Sequence, residues 1–448
     1  MSPDAGADAV ASPMDLPALA SDVPVATDAP ARDDAPVSSD APAPSDAPPS
    51  SDAPVPSAPT WAEHVAPILY SQCVSCHRAG GIAPFALETY PQAAGMAAEI
   101  EAETSSRRMP PTVVNATGSC NEYRDDVKRL TDAQIQTISR WVAAGHPQGD
   151  PARAPAMPPP PPSLARVDLR ADMGVSYTPN AARPDDYRCF LVDLGTTADR
   201  FITGYEVVPG ERRVVHHVIL YSIPTESAQR SAEALDARDT TPGYECFGGP
   251  RVSGSQPLAL WAPGGGPTLF PARSGLRLTG GRKVVMQVHY NLANGAFPDR
   301  TVVNLQTEAS VGAQGMLVPF ADTDMRLPPR MTEAVTSEDV RLDNLGGLQR
   351  IYVHGVAPHM HTLGRSLRVQ TRDAEGTTRC VVDVPRWDFH WQNLFFYREA
   401  MVIERGEVAN ITCRFDTTSR SEVTTWGEGT SDEMCLAYVY VTAASLRP

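Results

Sequence analysis

From about residue 165 to its end the chain is written in short runs of β-branched and aromatic residues separated by turn residues. RFITGYEVVP begins at Arg200, VVHHVILYS at Val214, RKVVMQVHYNL at Arg282, QRIYVHGVAPHMH at Gln349, RCVVDVP at Arg379 and CLAYVYVTA at Cys435. Each run is of strand length and little helical periodicity intervenes, which predicts a mainly β protein of antiparallel β-sandwich, jelly-roll-like architecture. The stretch is long enough for two sandwiches. They are expected at 165–320 and 321–448, with the junction near Phe320-Ala321-Asp322.

Upstream the period changes. Thr60-Trp61-Ala62-Glu63 reads as a capping box ahead of an apolar stripe of Val65, Ile68 and Leu69. Thr131-Asp132-Ala133-Gln134 reads as another, opening a helix through Ile135, Ile138, Trp141 and Val142 that should stop at Gly145. Two capped helices around a loop-rich middle predict a small all-α domain over 59–150, followed by a proline-rich linker at 151–164.

Residues 1–58 carry no such pattern. They are almost wholly Ala, Pro, Ser and Asp, with SDAP recurring at Ser39, Ser45 and Ser51. That composition cannot bury enough apolar surface to offset its ordering entropy, so a disordered tether is expected. It holds ten Asp against one Arg, a net −9 of the chain's −15. The remainder is only mildly acidic, which argues against a nucleic-acid partner. No apolar run approaches the roughly 18–20 residues of a membrane span, and no basic start with an apolar stretch and cleavage site is visible. The cysteine usage nevertheless calls for an oxidising compartment. An extracytoplasmic location is therefore expected, periplasmic, secreted or tethered to a membrane through a lipoprotein leader lost ahead of Met1.

Cys73-Val74-Ser75-Cys76-His77 is a C-x-x-C-H run at the end of the first predicted helix. Two thiols one turn apart can form thioethers with the two vinyl groups of a haem, and the adjacent imidazole then becomes the proximal iron ligand. A redox dithiol lacks its βαβ context here, and a zinc site lacks a second pair nearby. For the sixth position a thioether is the natural choice because it stabilises Fe(II). Met109, in Arg108-Met109-Pro110-Pro111, is preferred to Met96, which lies in a helix-like stretch where Met more often fills a core. Residues 59–150 thus resemble a class I cytochrome c domain carrying one covalent haem c.

The β part holds two groups of metal-ligating side chains: His216-His217 with His289, and His359-Met360-His361 with Met434. Residues i and i+2 of a strand face the same side, so His359 and His361 can reach one ion. A thioether third ligand selects Cu(I) over zinc. Adjacent His216 and His217 point to opposite faces of a regular strand. Both bind one ion only if a bulge turns one of them or if they use different ring nitrogens.

HH, then QVHYN, then HMHTLG, then DEMC, in that order and spacing, resembles the copper type II, ascorbate-dependent monooxygenases. The resemblance covers about residues 170–448. It implies two sandwiches with one copper each, facing across a solvent-filled cleft. By carry-over, His216, His217 and His289 would hold the electron-transfer copper, and His359, His361 and Met434 the catalytic copper where O2 and substrate meet. It also implies disulfides Cys189–Cys246 and Cys413–Cys435, and a cleft containing Gln287, Tyr187 and Tyr438. Cys120 and Cys380 are left open, as a cross-domain bridge or as two free thiols. Peptide-amidating members carry an Arg two positions before the HxH where this chain has Ala357, and an Asn where it has Leu436. A glycine-extended peptide is therefore not the expected substrate.

Of the other histidines, His64 and His146 are read as surface or haem-edge residues and His354 as a strand neighbour. The cluster Trp387-Asp388-Phe389-His390-Trp391-Gln392 is read as core or cleft wall. The resulting expectation is an oxidoreductase that hydroxylates a C–H bond of a small organic substrate with O2. Its electrons would reach the first copper through the haem, tethered at an effective concentration set by the linker, with the haem replacing or supplementing ascorbate and an external donor supplying the electrons. The alternative is a copper and haem electron carrier without a substrate cleft.

Overall fold

The computed structural model describes residues 58–446 apart from 82, 125, 126, 161, 162, 264, 344, 346 and 430. The expected tether falls almost wholly outside the described residues. In the β part, alternating burial along the strands makes two packed layers in each half. The first half has a five-stranded antiparallel sheet ordered Tyr244–Glu245, Asp185–Val192, Val284–Asn291, Val215–Ser222 and Pro257–Trp261. The second has a four-stranded sheet ordered Ala334–Arg341, Val408–Phe415, Gly364–Arg372 and Thr378–Val384. Both pack on one long nine-stranded sheet, through cores that include Val218, Met286, Ile202 and Leu305 in one half and Val369, Ile411, Val353 and Val439 in the other.

The long sheet is what joins the halves. Its Ala313–Ala321 strand pairs antiparallel with Leu436–Thr442 of the second half and, over Ala313–Gly315, parallel with Ser274–Leu276 of the first. Gly315 leaves room there for the Tyr440 ring, whose hydroxyl donates to Ser274 Oγ at 2.8 Å. Backbone pairing therefore runs without a break past Phe320, where the sequence suggests a junction.

Upstream, Trp61, Val65, Leu69, Ile100, Ile138 and Trp141 form a separate small core. The Thr131 capping box forms as expected: Thr131 Oγ1 accepts from the Gln134 N–H, and Gln134 Oε1 from the Thr131 N–H. The helix it opens runs Asp132–Ala143, and Gly145 follows at φ +77°. The Thr60 box does not form. The Thr60 N–H goes to His64 Nδ1 at 3.1 Å, Glu63 accepts from the Thr60 hydroxyl at 3.2 Å and pairs with Arg153, and the chain opens with a π-helical turn over Trp61–Val65. The middle is more helical than its sequence suggests, with helices Tyr90–Gly95 and Ala97–Ser105. Thr89 and Gln92 supply the capping box that starts the first of them.

A strap over residues 112–124 fixes this helical unit to the second sandwich. The Asn115 N–H donates to Asp383 O at 2.7 Å, Arg124 N–H to Phe396 O at 3.0 Å and Arg398 N–H to Glu122 O at 2.8 Å. Val113, Val114 and Tyr123 sit in the second sandwich's core, and Cys120–Cys380 closes the connection covalently. The linker packs back as well, with the Arg78 guanidinium donating to Pro158 and Pro159 carbonyls at 3.3 and 3.1 Å. The expected loose tethering of the helical unit is thus replaced by a fixed docking, because a disulfide, the Tyr123–Tyr397 bridge and the main-chain bonds beside it hold it.

Candidate metal centres

His216, His217 and His289 come together, their ligand atoms all within 4.8 Å of one another. The sequence alone demanded a bulge or a change of ring nitrogen, and the structure has the bulge. His217 pairs with His289 and Val215 with Tyr290, so the register slips by one residue at His216. All three rings converge through Nδ1, with His289 Nδ1 3.3 Å from that of His216 and 3.2 Å from that of His217. His289 Nε2 lies 2.8 Å from Asp185 Oδ1, a carboxylate that fixes its tautomer and leaves Nδ1 as the ligand atom. Tyr187 stacks on His289 with ring centroids 4.0 Å apart and donates its hydroxyl to the Glu428 carbonyl in the second half.

The second group forms where the Arg350–His359 strand ends. His359 and His361 lie with ring centroids 5.1 Å apart, while Met360 between them is buried in the second core. His359 Nδ1 meets Gln392 Oε1 at 2.5 Å and His361 Nδ1 meets the Asp432 carbonyl at 3.1 Å, which leaves Nε2 of each ring as the ligand atom. Met434 is 4% exposed and directly follows Glu433 in the chain, the residue that ties this segment to the backbone of His361. Glu433, fully buried, accepts from the backbone N–H of His361 at 2.9 Å and of Leu363 at 2.6 Å, and Cys435 is tied to Cys413. Burial lowers the pKa of His216 to about 4, His359 to about 3 and His361 to about 4, and that of His217 and His289 well below the ordinary value. Neutral imidazoles are the form that binds metal.

The two groups abut. The His217 and His359 rings are 6.4 Å apart, and Phe389 stacks on His216 at 4.5 Å while standing edge-on to His361 at 6.1 Å. The open cleft implied by the resemblance is therefore closed here, because the continuous sheet and the 387–392 loop bring the two nests together. Tyr438 is half-buried at the edge of the first core. Gln287 is 2% exposed and donates to the Cys246 carbonyl at 3.0 Å, so it braces the Cys189–Cys246 disulfide. His354 bonds Thr442 Oγ1 at 2.8 Å, away from either nest. Glu433, Asp185, Gln392 and Trp387 were missed as site residues by sequence reasoning. The signal available was their position beside ligands, in DEMC, in DDYRC and in the aromatic cluster.

Of eight cysteines, six are paired and Cys73 and Cys76 are free. Three disulfides indicate folding in an oxidising, extracytoplasmic compartment. Among the described residues no helix is long and apolar enough to cross a membrane. His77 Nδ1 lies 3.2 Å from the Phe85 carbonyl, which leaves Nε2 free. Met109 is half-buried in the loop after the Ala97–Ser105 helix.

Models of the copper type II ascorbate-dependent monooxygenase N-terminal and C-terminal domains match residues 172–296 and 314–445. Together these segments take in more than half of the chain, which belongs to that family. It is 28% identical over 255 residues to tyramine beta-hydroxylase of Caenorhabditis briggsae, covering 53% of this chain and 41% of that protein. Over 252 residues it is 27% identical to DBH-like monooxygenase protein 1 of Gallus gallus, with 50% and 39% covered. Over 319 residues it is 25% identical to dopamine beta-hydroxylase of Rattus norvegicus, with 64% and 47% covered. The chain spans less than half the length of each.

Proposed function

We propose that this protein is a copper-dependent monooxygenase that places one oxygen atom of O2 in a C–H bond of a small organic substrate. Its electrons would come from ascorbate or another external donor and pass through a c-type haem on residues 59–150. The observation that supports it most is the meeting of a three-imidazole nest with a second pair of imidazoles, His359 and His361, in a chain of this family. His216, His217 and His289 would hold one copper, and His359, His361 and Met434 the other. When bound, the two ions store the two electrons that R–H + O2 + 2e⁻ + 2H⁺ → R–OH + H2O requires.

The chain's own residues prepare the nests. Asp185 and the Asp432 carbonyl fix which ring nitrogen is free, burial keeps the rings neutral, and the Cys413–Cys435 bridge restrains the flexible Met434. Cys73 and Cys76, the only free thiols among the described residues, fit thioether attachment. His77, its Nδ1 engaged by the Phe85 carbonyl, fits an axial iron ligand, and Met109 the opposite one. Membrane tethering through a leader would suit an extracytoplasmic enzyme of this kind.

The test is composition followed by turnover. About two coppers and one covalent haem per chain are expected, with O2 uptake by the ascorbate-reduced protein accelerated by a substrate and matched by hydroxylated product. Tyramine and dopamine, named by the relatives, are the first compounds to try. A single copper per chain would point to an electron carrier and end the oxygenase reading.

A further inference from the structure

The segment Arg386–Gln392 reaches both nests and the helical unit. Arg386 donates from its guanidinium to the Ser106 carbonyl at 2.9 Å and to the Arg107 carbonyl, just ahead of Met109. Trp387, 7% exposed, donates from Nε1 to the His361 carbonyl at 3.1 Å. Beyond it Phe389 lies against His216 and Gln392 against His359 Nδ1. The strap and the Cys120–Cys380 bridge fix the helical unit to the same sandwich that carries His359, His361 and Met434.

We propose that Arg386 and Trp387 form the electronic bridge between the haem-bearing unit and the His359/His361/Met434 nest. Electrons then enter the copper pair at the sulfur-containing nest rather than at the three-histidine nest. The inference rests on the haem reading above. It redirects the relay to the first copper that the sequence suggests, because docking here is set by fixed contacts on the second sandwich instead of by encounter across a flexible linker.

The path is continuous: backbone from Met109 to the Arg107 carbonyl, a hydrogen bond to the Arg386 guanidinium, covalent bonds to the Trp387 indole, and a hydrogen bond to the His361 carbonyl. In each transfer one Fe(II) becomes Fe(III) and one Cu(II) becomes Cu(I), with no bond made or broken. Ascorbate, a one-electron donor, re-reduces the iron, and two such transfers serve each O2.

The experiment follows haem oxidation by its visible spectrum when the anaerobically reduced, copper-loaded full chain is mixed with O2 and substrate. His361→Ala, which dismantles the second nest, reduces the signal to the direct reaction of haem with O2. His289→Ala, which dismantles the first, leaves the initial haem oxidation close to the wild-type rate. Trp387→Phe removes the bond to His361, and Arg386→Gln, at an exposed position, weakens the bonds to Ser106 and Arg107 without touching the core. Each slows haem oxidation several-fold with copper and haem content unchanged. Wild-type rates in both bridge variants, or loss of haem oxidation in His289→Ala with copper still in the second nest, would overturn the bridge. A purified chain without covalent haem, visible from its mass and spectrum before any kinetics, would overturn the haem reading and the bridge with it.

Discussion

Glu433→Gln is the sharpest probe of how the second nest is held. The buried carboxylate gives one oxygen to the His361 N–H and the other to the Leu363 N–H, and burial pushes its pKa up to about 7 against the pull of those bonds. Glutamine keeps one oxygen for one N–H and turns an NH2 group toward the other. Above pH 7, where the carboxyl is ionised, one charge-assisted bond, worth about 1.5–3 kcal/mol, is lost and a buried donor is left unpaired, so the change should cost about 2–3 kcal/mol there. For a chain of this size that is a fall of about 2–4 °C in Tm. Because the same carboxylate anchors the strand end at His361 and the residue before Met434, copper affinity of this nest should fall about 10–100-fold, the range for groups that orient ligands. The three-histidine nest should be unaffected. Thermal melts of the metal-free protein report the first effect. Chelator competition, read with the copper–sulfur signal in X-ray absorption, reports the second. An unchanged Tm together with unchanged affinity at both nests would refute the assignment of Glu433 as the clamp.

Asp185→Asn should weaken copper at the three-histidine nest by about 10–100-fold, since His289 loses the carboxylate that sets its tautomer; chelator competition against the wild type measures it. Replacing Cys120 and Cys380 by Ser opens a closure spanning 260 residues. About 3–5 kcal/mol of stability should go with it, and limited proteolysis should then cut within the strap at 112–124. Metal-free protein should lose stability on acidification. Burial, followed by the nearby Arg124 charge, lowers His354 to about 4 from its ordinary 6.5. Between those values the unfolded chain takes up a proton that the folded chain refuses, so stability rises with pH across about 4 to 6.5 and is flat above. His354→Gln should flatten part of that slope in melts taken from pH 4.5 to 7.5, and an unaltered slope would count against it.

What the sequence made legible was the ligand roster, because imidazole and thioether residues at i, i+2 and in runs such as HH and DEMC are chemically specific. It could not show that His216 is the bulged residue, since a bulge is a property of pairing with Val284–Asn291 across the sheet. Glu433 went unread because its partners are backbone N–H groups, which no side-chain pattern records. The strap was invisible for a similar reason: residues 112–124 are held to strands of both sheets of the second half by scattered main-chain bonds and show no period of their own. The Trp387–Gln392 run looked like core filling, and Trp387 is indeed buried. Its indole N–H and the Gln392 amide bind ligand residues all the same. The helices at 90–105 were within reach, because Thr89 and Gln92 already spell a capping box.

The Ala313–Ala321 strand belongs to both halves at once, hydrogen-bonded on one side to each. A gene divided near codon 320 would give each product a naked sheet edge, and such edges recruit whatever strand they meet. The halves are thus not interchangeable cassettes. Swapping one between relatives would require moving this strand together with Ser274–Leu278 and Leu436–Thr442, which leaves the surface loops as the natural place for new specificities to be written.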